Sequence, residues 1–195
     1  LESEYIYKGK IINMRKDTAL LPNGKTALRE IVEHPGGVCV AALTDNNEVL
    51  FVRQFRYPYF ENILEIPAGK RDSKDEDPLE CGKRELREET GAVAENFIPL
   101  GELYPTPGYC SEIIHLYLAE NLTFVGQHLD EDEYINVEAY TVDELCEKIF
   151  SGEIEDSKTY ADYIATRPRV EKNGKHGLFS DEGKPIELAK VSREL

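Results

Sequence analysis

The chain lacks any apolar run near the roughly 18 residues that a membrane span needs. The polar stretch Leu1 to Lys10 has no signal-peptide core. A membrane-spanning helix is therefore not expected, and residence in the cytoplasm is the default expectation. Cysteine is sparse and scattered: Cys39, Cys81, Cys110 and Cys146 form no CxxC pair, and no histidines stand at zinc-finger spacing. That excludes a disulfide scaffold or a zinc ribbon and fits a reducing compartment. Positive charge is also scarce, with 23 basic against 38 acidic residues and a formal net charge of −15. Such a surface repels polyanions, so nucleic acid and anionic membranes are poor partners. A phosphorylated ligand would need local help from a few placed arginines, or from cations held by carboxylates.

What is present is enough for one sizeable core: 195 residues, 41% of them hydrophobic. Short, partly alternating segments at Glu4 to Tyr7, Lys10 to Arg15 and Lys25 to Glu33, with an Asn23-Gly24 turn, predict a small antiparallel N-terminal sheet. After His34-Pro35-Gly36-Gly37, the apolar runs Val38 to Leu43 and Val49 to Phe55, joined by a polar turn, read as a buried hairpin. Ile113 to Leu118 and Tyr134 to Tyr140 are strand-like. Thr141 to Glu144 opens a helix with a capping-box pattern, ending near Ser151-Gly152. A further helix covers Lys158 to Thr166, with Pro168 after it, and a polar tail follows. The expected division is an N-terminal sheet at 1–36, a main domain at 37–167 and a loosely attached tail at 168–195.

The most informative stretch runs from Asp77 to Gly91. Asp77 suits a helix N-cap, Pro78 the first helical position, Glu80 the third position of a capping box, and Gly91 the left-handed residue past the end. Leu79 and Leu86 mark the buried stripe. Glu85, Glu88 and Glu89 share another face at i, i+3 and i+4. Like charges at that spacing cost a few tenths of a kcal/mol each, and here they crowd the negative end of the helix dipole. Such a face invites a cation. Mg²⁺ favours a few carboxylates completed by phosphate and water. From the helix alone, a solvated acidic face with an ordinary Arg84–Glu88 pair remains the alternative.

With the preceding loop included, Gly69, Glu76, Arg84, Glu85, Leu86, Glu88, Glu89, Gly91 and Ala92 resemble the Nudix box. A chance match of its fixed positions is on the order of one in 10⁴ to 10⁵. Six residues rather than five separate Gly69 from Glu76, and Ala92 is small for the final aliphatic position. The resemblance extends over roughly residues 5 to 165 and is similar to the ADP-ribose pyrophosphatase branch. It is carried by Val52 to Tyr57, Leu64 to Lys70, Pro107 to Glu112 and Asp156-Ser157-Lys158-Thr159.

The resemblance implies an α/β/α sandwich around a mixed sheet. It implies hydrolysis of the diphosphate of ADP-ribose to AMP and ribose 5-phosphate, with Mg²⁺, or else Mn²⁺, as cofactor. As metal ligands it implies Glu85, Glu89, the carbonyl of Ala68 and Glu133 of the acidic loop Gln127 to Glu133. Glu131 is the implied general base, and Arg84 and Glu88 are the pair bracing the helix. Arg53, Arg56, Glu112 and Pro107 would face substrate, and Tyr5 and Tyr7 are candidates to stack on adenine. Each has a plainer alternative: an ion pair for the arginines, a cap for Glu112, packing for the tyrosines, solvated acid for the loop. A homodimer in which one N-terminal sheet completes the partner's site is implied as well. Another Nudix activity, on a nucleotide sugar or dinucleoside polyphosphate, is the enzymatic rival. A non-catalytic ADP-ribose sensor is the rival from a different class.

Overall fold

The computed structural model describes residues 2–129 and 133–173. Three strands, β1 (Glu2–Lys8), β2 (Asn13–Leu20) and β3 (Thr26–Glu33), form the expected antiparallel N-terminal sheet in the order β1-β2-β3. Gly24, at φ 78°, makes the β2–β3 turn where Asn23-Gly24 predicts one. The second strand begins later than expected and runs on to Leu20. The sheet leaves Tyr5, Ile6, Tyr7 and Leu28 exposed. It joins the rest through Val32, whose N–H donates to Tyr109 O and whose carbonyl accepts from Ser111 N.

The main body has two further sheets. One is mixed, in the order β7-β4-β9-β8, where β4 is Gly37–Ala42, β7 Ala68–Lys70, β8 Ala92–Leu103 and β9 Ile114–Phe124. The parallel β4–β9 pairing makes it mixed. The other is antiparallel, in the order β10-β5-β6, with β5 at Glu48–Arg56, β6 at Glu61–Glu65 and β10 at Ile135–Thr141. Helix α1 (Pro78–Thr90) packs on one face of the mixed sheet through Cys81 and Leu86 against Val38, Val40 and Ala42. On the other face Cys39, Ala41 and Leu43 meet Phe51, Leu64 and Ile66 with helices α2 (Val142–Ser151) and α3 (Ser157–Asn173).

Three expectations are corrected. The apolar runs around the turn at residues 44–47 are not a hairpin: beyond the single bridge Leu43–Val49, β4 and β5 part into different sheets. Every residue of β4 is buried, because both of its faces pack against core and both of its edges are taken, by β7 and β9. Strand β8, for which no element was expected, carries Pro99 and Gly101 at a sheet edge, and it bulges between them. Helix α3 does not stop before Pro168 but continues to Asn173. Pro168 has no N–H to give the Ile164 carbonyl, and Ile164 lies on an exposed face at 69% accessibility, where a missing helical bond costs least. Residues 174–195 of the expected tail lie outside the described residues.

Candidate active site

Helix α1 is defined by its ends. The Asp77 carboxylate accepts from Leu79 N and Glu80 N, and Gly91 closes the C-terminus at φ 71°. The expected Glu80 half of a capping box is replaced by an ion pair with Lys83 at 2.7 Å. Leu86, fully buried, fixes the rotation of the helix and so turns the carboxylate face toward β7.

Where helix and strand meet, contact is close. The Ala68 N–H donates to Glu89 Oε2 at 2.9 Å. A side chain on Gly69 would collide with the Glu85 carboxylate, so any other residue here must displace that carboxylate. Arg84 binds the surrounding acids together: Nη1 donates to Glu85 at 2.7 Å and Glu88 at 3.2 Å, and Nη2 to Glu76 at 3.2 Å and the Lys70 carbonyl at 3.4 Å. Glu76 also accepts from Asp72 N at 2.6 Å, so the loop with its extra residue is stapled to the helix.

Burial pushes the Glu89 carboxyl up to about 8; the charges of Glu85 and Glu133 add to that push, and the Ala68 N–H opposes it. Burial likewise raises Glu85, reinforced by Glu88 and Glu133. The charge of Glu133, expected as a further ligand, thus bears on both. Residues 125–128 are laid along the end of α1 by three bonds: Val125 N to Gly91 O, His128 N to Glu88 O, and Gln127 Nε2 to Glu89 O. These bonds satisfy carbonyls that a helix C-terminus leaves open. Glu131 lies outside the described residues.

The donor set is all oxygen and crowded, with Arg84 its principal cation, which suits a hard divalent cation. Among the described residues no three acidic, histidine or cysteine side chains stand at ligand spacing. Glu85 is drawn toward Arg84 and Glu89 toward the Ala68 amide.

Beside these carboxylates is a cleft of about 190 Å³, bounded by Arg56, Ala68, Gly69, Glu112, Ile114 and Lys158 among others. Arg56 and Glu112 are thus brought to it. Arg53 is not: it forks onto Glu138 of the neighbouring strand at 2.6 and 3.2 Å. Three positions apart on β5, the two arginines emerge on opposite faces. Pro107 is exposed at the start of a turn in which Thr106 O accepts from Tyr109 N and Cys110 N. Tyr5 and Tyr7 do not line the cleft of their own chain; the Tyr5 hydroxyl donates to Glu33 at 3.0 Å.

Two residues at this site were missed as participants. Glu65, 2% exposed, accepts a two-pronged bond from Arg56 at 2.6 and 2.7 Å and a third bond from Lys158 at 2.9 Å. Its place after Leu64 in an apolar strand gave no sign of a buried charge. Arg71 closes the metal-side loop through the carbonyls of Glu76 and Lys74; a surface arginine in sequence carries no such signal.

Comparison with known proteins identifies the relationship. The family model described as NUDIX domain matches residues 33–163, and that of the nucleoside diphosphate sugar hydrolase N-terminal domain matches residues 1–32. The chain is 42% identical over 161 residues to an ADP-ribose pyrophosphatase of Bacillus subtilis (strain 168), covering 82% of this chain and 86% of that one. It is 43% identical over 161 residues, with the same coverage, to a methanol dehydrogenase activator of Bacillus methanolicus. A solved ADP compounds hydrolase shares the fold with a TM-score of 0.78 at 18% identity, over 90% of this chain and 95% of that one.

Proposed function

The chain belongs to the Nudix family of hydrolases, and we propose that it cleaves the diphosphate of ADP-ribose with Mg²⁺ to give AMP and ribose 5-phosphate. The observation that carries this reading is the seating of Glu85 and Glu89 against the Ala68–Gly69 strand, which itself lines a cleft that also presents Arg56. Family members generally need a divalent metal ion. Glu85, Glu89, Glu133 and the Ala68 carbonyl would hold it here, with Mn²⁺ a workable substitute. Bound there, the ion supplies charge neutralisation on the diphosphate and a more acidic attacking water.

The remaining work falls to side chains. Arg56 meets the diphosphate with the N–H groups that Glu65 leaves open, a charge-assisted contact suited to phosphate. Arg84 and Glu88 keep the helix face in position. Glu131 takes the proton of water as its oxygen bonds to phosphorus and the bridging P–O bond breaks, the electron pair leaving on the departing phosphate. No covalent nucleophile is involved. Glu112 faces the sugar side of the cleft, with Pro107 shaping the loop behind it.

The N-terminal unit, residues 1–36, is read as the lobe that completes a partner's adenosine site in a homodimer, with Tyr5 and Tyr7 stacking on the base. Their exposure in a single chain supports this. The four free thiols fit a cytoplasmic enzyme. Among the described residues no helix is long and apolar enough to cross a membrane.

The test is Mg²⁺-dependent turnover of ADP-ribose by the wild type, Glu89→Gln and Glu131→Gln, with products separated chromatographically and nucleoside diphosphate sugars run beside it. AMP and ribose 5-phosphate from the wild type, and severe loss in both variants, is the expected result. Preferential cleavage of a diphosphate sugar would move the substrate toward the class named by the N-terminal match. Tight binding without turnover would make the protein a sensor.

A further inference from the structure

The motif Asp156-Ser157-Lys158-Thr159 has no part in the chemistry above, yet it opens α3 directly behind the cleft. Lys158 Nζ donates to Glu65 Oε2 at 2.9 Å and to Asp156 Oδ1 at 2.7 Å. Its side chain is only 18% exposed, and what is exposed borders the cleft. Asp156 Oδ2 caps the helix, accepting from Thr159 N at 2.9 Å and Thr159 Oγ1 at 2.8 Å. Thr159 Oγ1 in turn accepts from Ile66 N at 3.2 Å. One turn of helix thus grips two consecutive residues, Glu65 and Ile66, immediately before the Pro67–Ala68–Gly69 loop.

We propose that Lys158 is a positioning residue for Arg56, the two cations sharing the buried carboxylate of Glu65, with Asp156 and Thr159 holding Lys158 in place. The inference rests on the proposed role of Arg56 at the diphosphate. Glu65 Oε2 receives both Arg56 Nη2 and Lys158 Nζ, so the carboxylate is held from two directions and cannot rotate without losing one of them. A fixed carboxylate fixes the plane of the guanidinium that forks onto it, and that plane decides which N–H groups face the cleft. Without Lys158, the Glu65–Arg56 pair keeps its charge but loses its orientation. Two carboxylates and two cations balance in this network, and none of the four is left buried and unpaired.

The experiment uses the full chain and two readouts: kcat and KM for ADP-ribose with Mg²⁺, and calorimetric affinity for an analogue with a methylene group in place of the bridging diphosphate oxygen. Lys158→Met is expected to weaken analogue binding and raise KM by roughly tenfold, with kcat changed less. Lys158→Arg is expected to recover part of the loss. Asp156→Asn, which retains an acceptor for the helix cap, is expected to move both readouts in the same direction by a smaller factor. It serves in place of Lys158→Met should that variant fail to fold. In an Arg56→Met background, the further change Lys158→Met is expected to add less than about twofold, because its route to substrate has been removed.

Full additivity in that cycle, or unaltered binding in both Lys158→Met and Asp156→Asn, would overturn the inference while an active wild type left the functional reading intact. A wild type that neither binds nor cleaves would overturn the functional reading, and this inference with it.

Discussion

A β-carbon placed on Gly69 would lie 1.8 Å from Cδ of Glu85, so the strand that opens the metal-side loop and the helix that carries the acids touch with no room for a methyl group. Gly69→Ala must push the Glu85 carboxylate aside. The expected result is a fall in kcat on the order of 100-fold, with a higher Mg²⁺ requirement and a melting temperature within a few degrees of wild type. Mg²⁺ titrations of turnover check it; unchanged Mg²⁺ dependence would remove Glu85 from the metal site.

Glu89→Gln separates stability from function. Burial and the neighbouring acids hold the Glu89 carboxyl at about 8, above its value of roughly 4.3 in an unfolded chain. A group raised in this way stabilises the fold fully below the unfolded value, and that contribution disappears as pH rises through about 8. The neutral amide lacks this loss. Without metal, the variant is expected to melt at the same temperature as wild type near pH 4 and above it at pH 9, while activity is abolished. Added Mg²⁺ is expected to raise the wild-type midpoint only. Thermal melts across that pH range decide it.

Arg53 and Arg56 should behave differently on removal. Arg56→Ala is expected to raise KM for ADP-ribose by roughly 30-fold or more, the scale of a charge-assisted phosphate contact. Arg53→Ala is expected to change KM by less than about threefold and to cost at most about 1 kcal/mol through its half-exposed pair with Glu138. Steady-state kinetics on both variants test the assignment; equal losses would bring Arg53 back to the substrate.

Asp162 is 1% exposed; its oxygens have no hydrogen-bond partner of ordinary geometry, and the Ala41 backbone beside it is the one group that favours its charged form. It borders a cavity of about 20 Å³ lined by Leu145, Ile149 and Phe51. Burial raises its carboxyl well above the usual range. Asp162→Leu fills apolar space and removes a polar group matched only by the Ala41 backbone, so a gain of about 1 kcal/mol is expected, with kcat/KM unaltered. Chemical denaturation measures the gain. A loss would mean that the carboxyl is satisfied by water in solution.

Much of the site was legible because its signals are local. Asp77, Pro78 and Gly91 bound α1 through bonds within a turn of themselves, and the i, i+3, i+4 spacing alone puts Glu85, Glu88 and Glu89 on one face. The capping box at Thr141 and Glu144 and the Asn23-Gly24 turn are equally short-range and are found as read.

Other features depended on distant partners. The sequence could show that β4 is apolar throughout, but its pairing with β9, more than 70 residues away, and its separation from β5 were settled by which edges and faces the rest of the chain supplied. Strand β8 was hidden because a proline and a glycine are tolerated at a bulged edge, a property of position in the sheet. The fork of Arg53 onto Glu138 joins residues 85 positions apart, and the sharing of Glu65 by Arg56 and Lys158 reaches across 93, so both are set by where each strand face points. By itself, then, the sequence determined the helix that bears the acids, its ends and the face they share, since hydrogen bonds and periodicity within a few residues suffice for these. The tertiary structure alone decided which arginine reaches the cleft, which carboxylate is buried between two cations, and how far Glu89 is lifted, because burial and pairing across sheets are set by packing and not by neighbours along the chain.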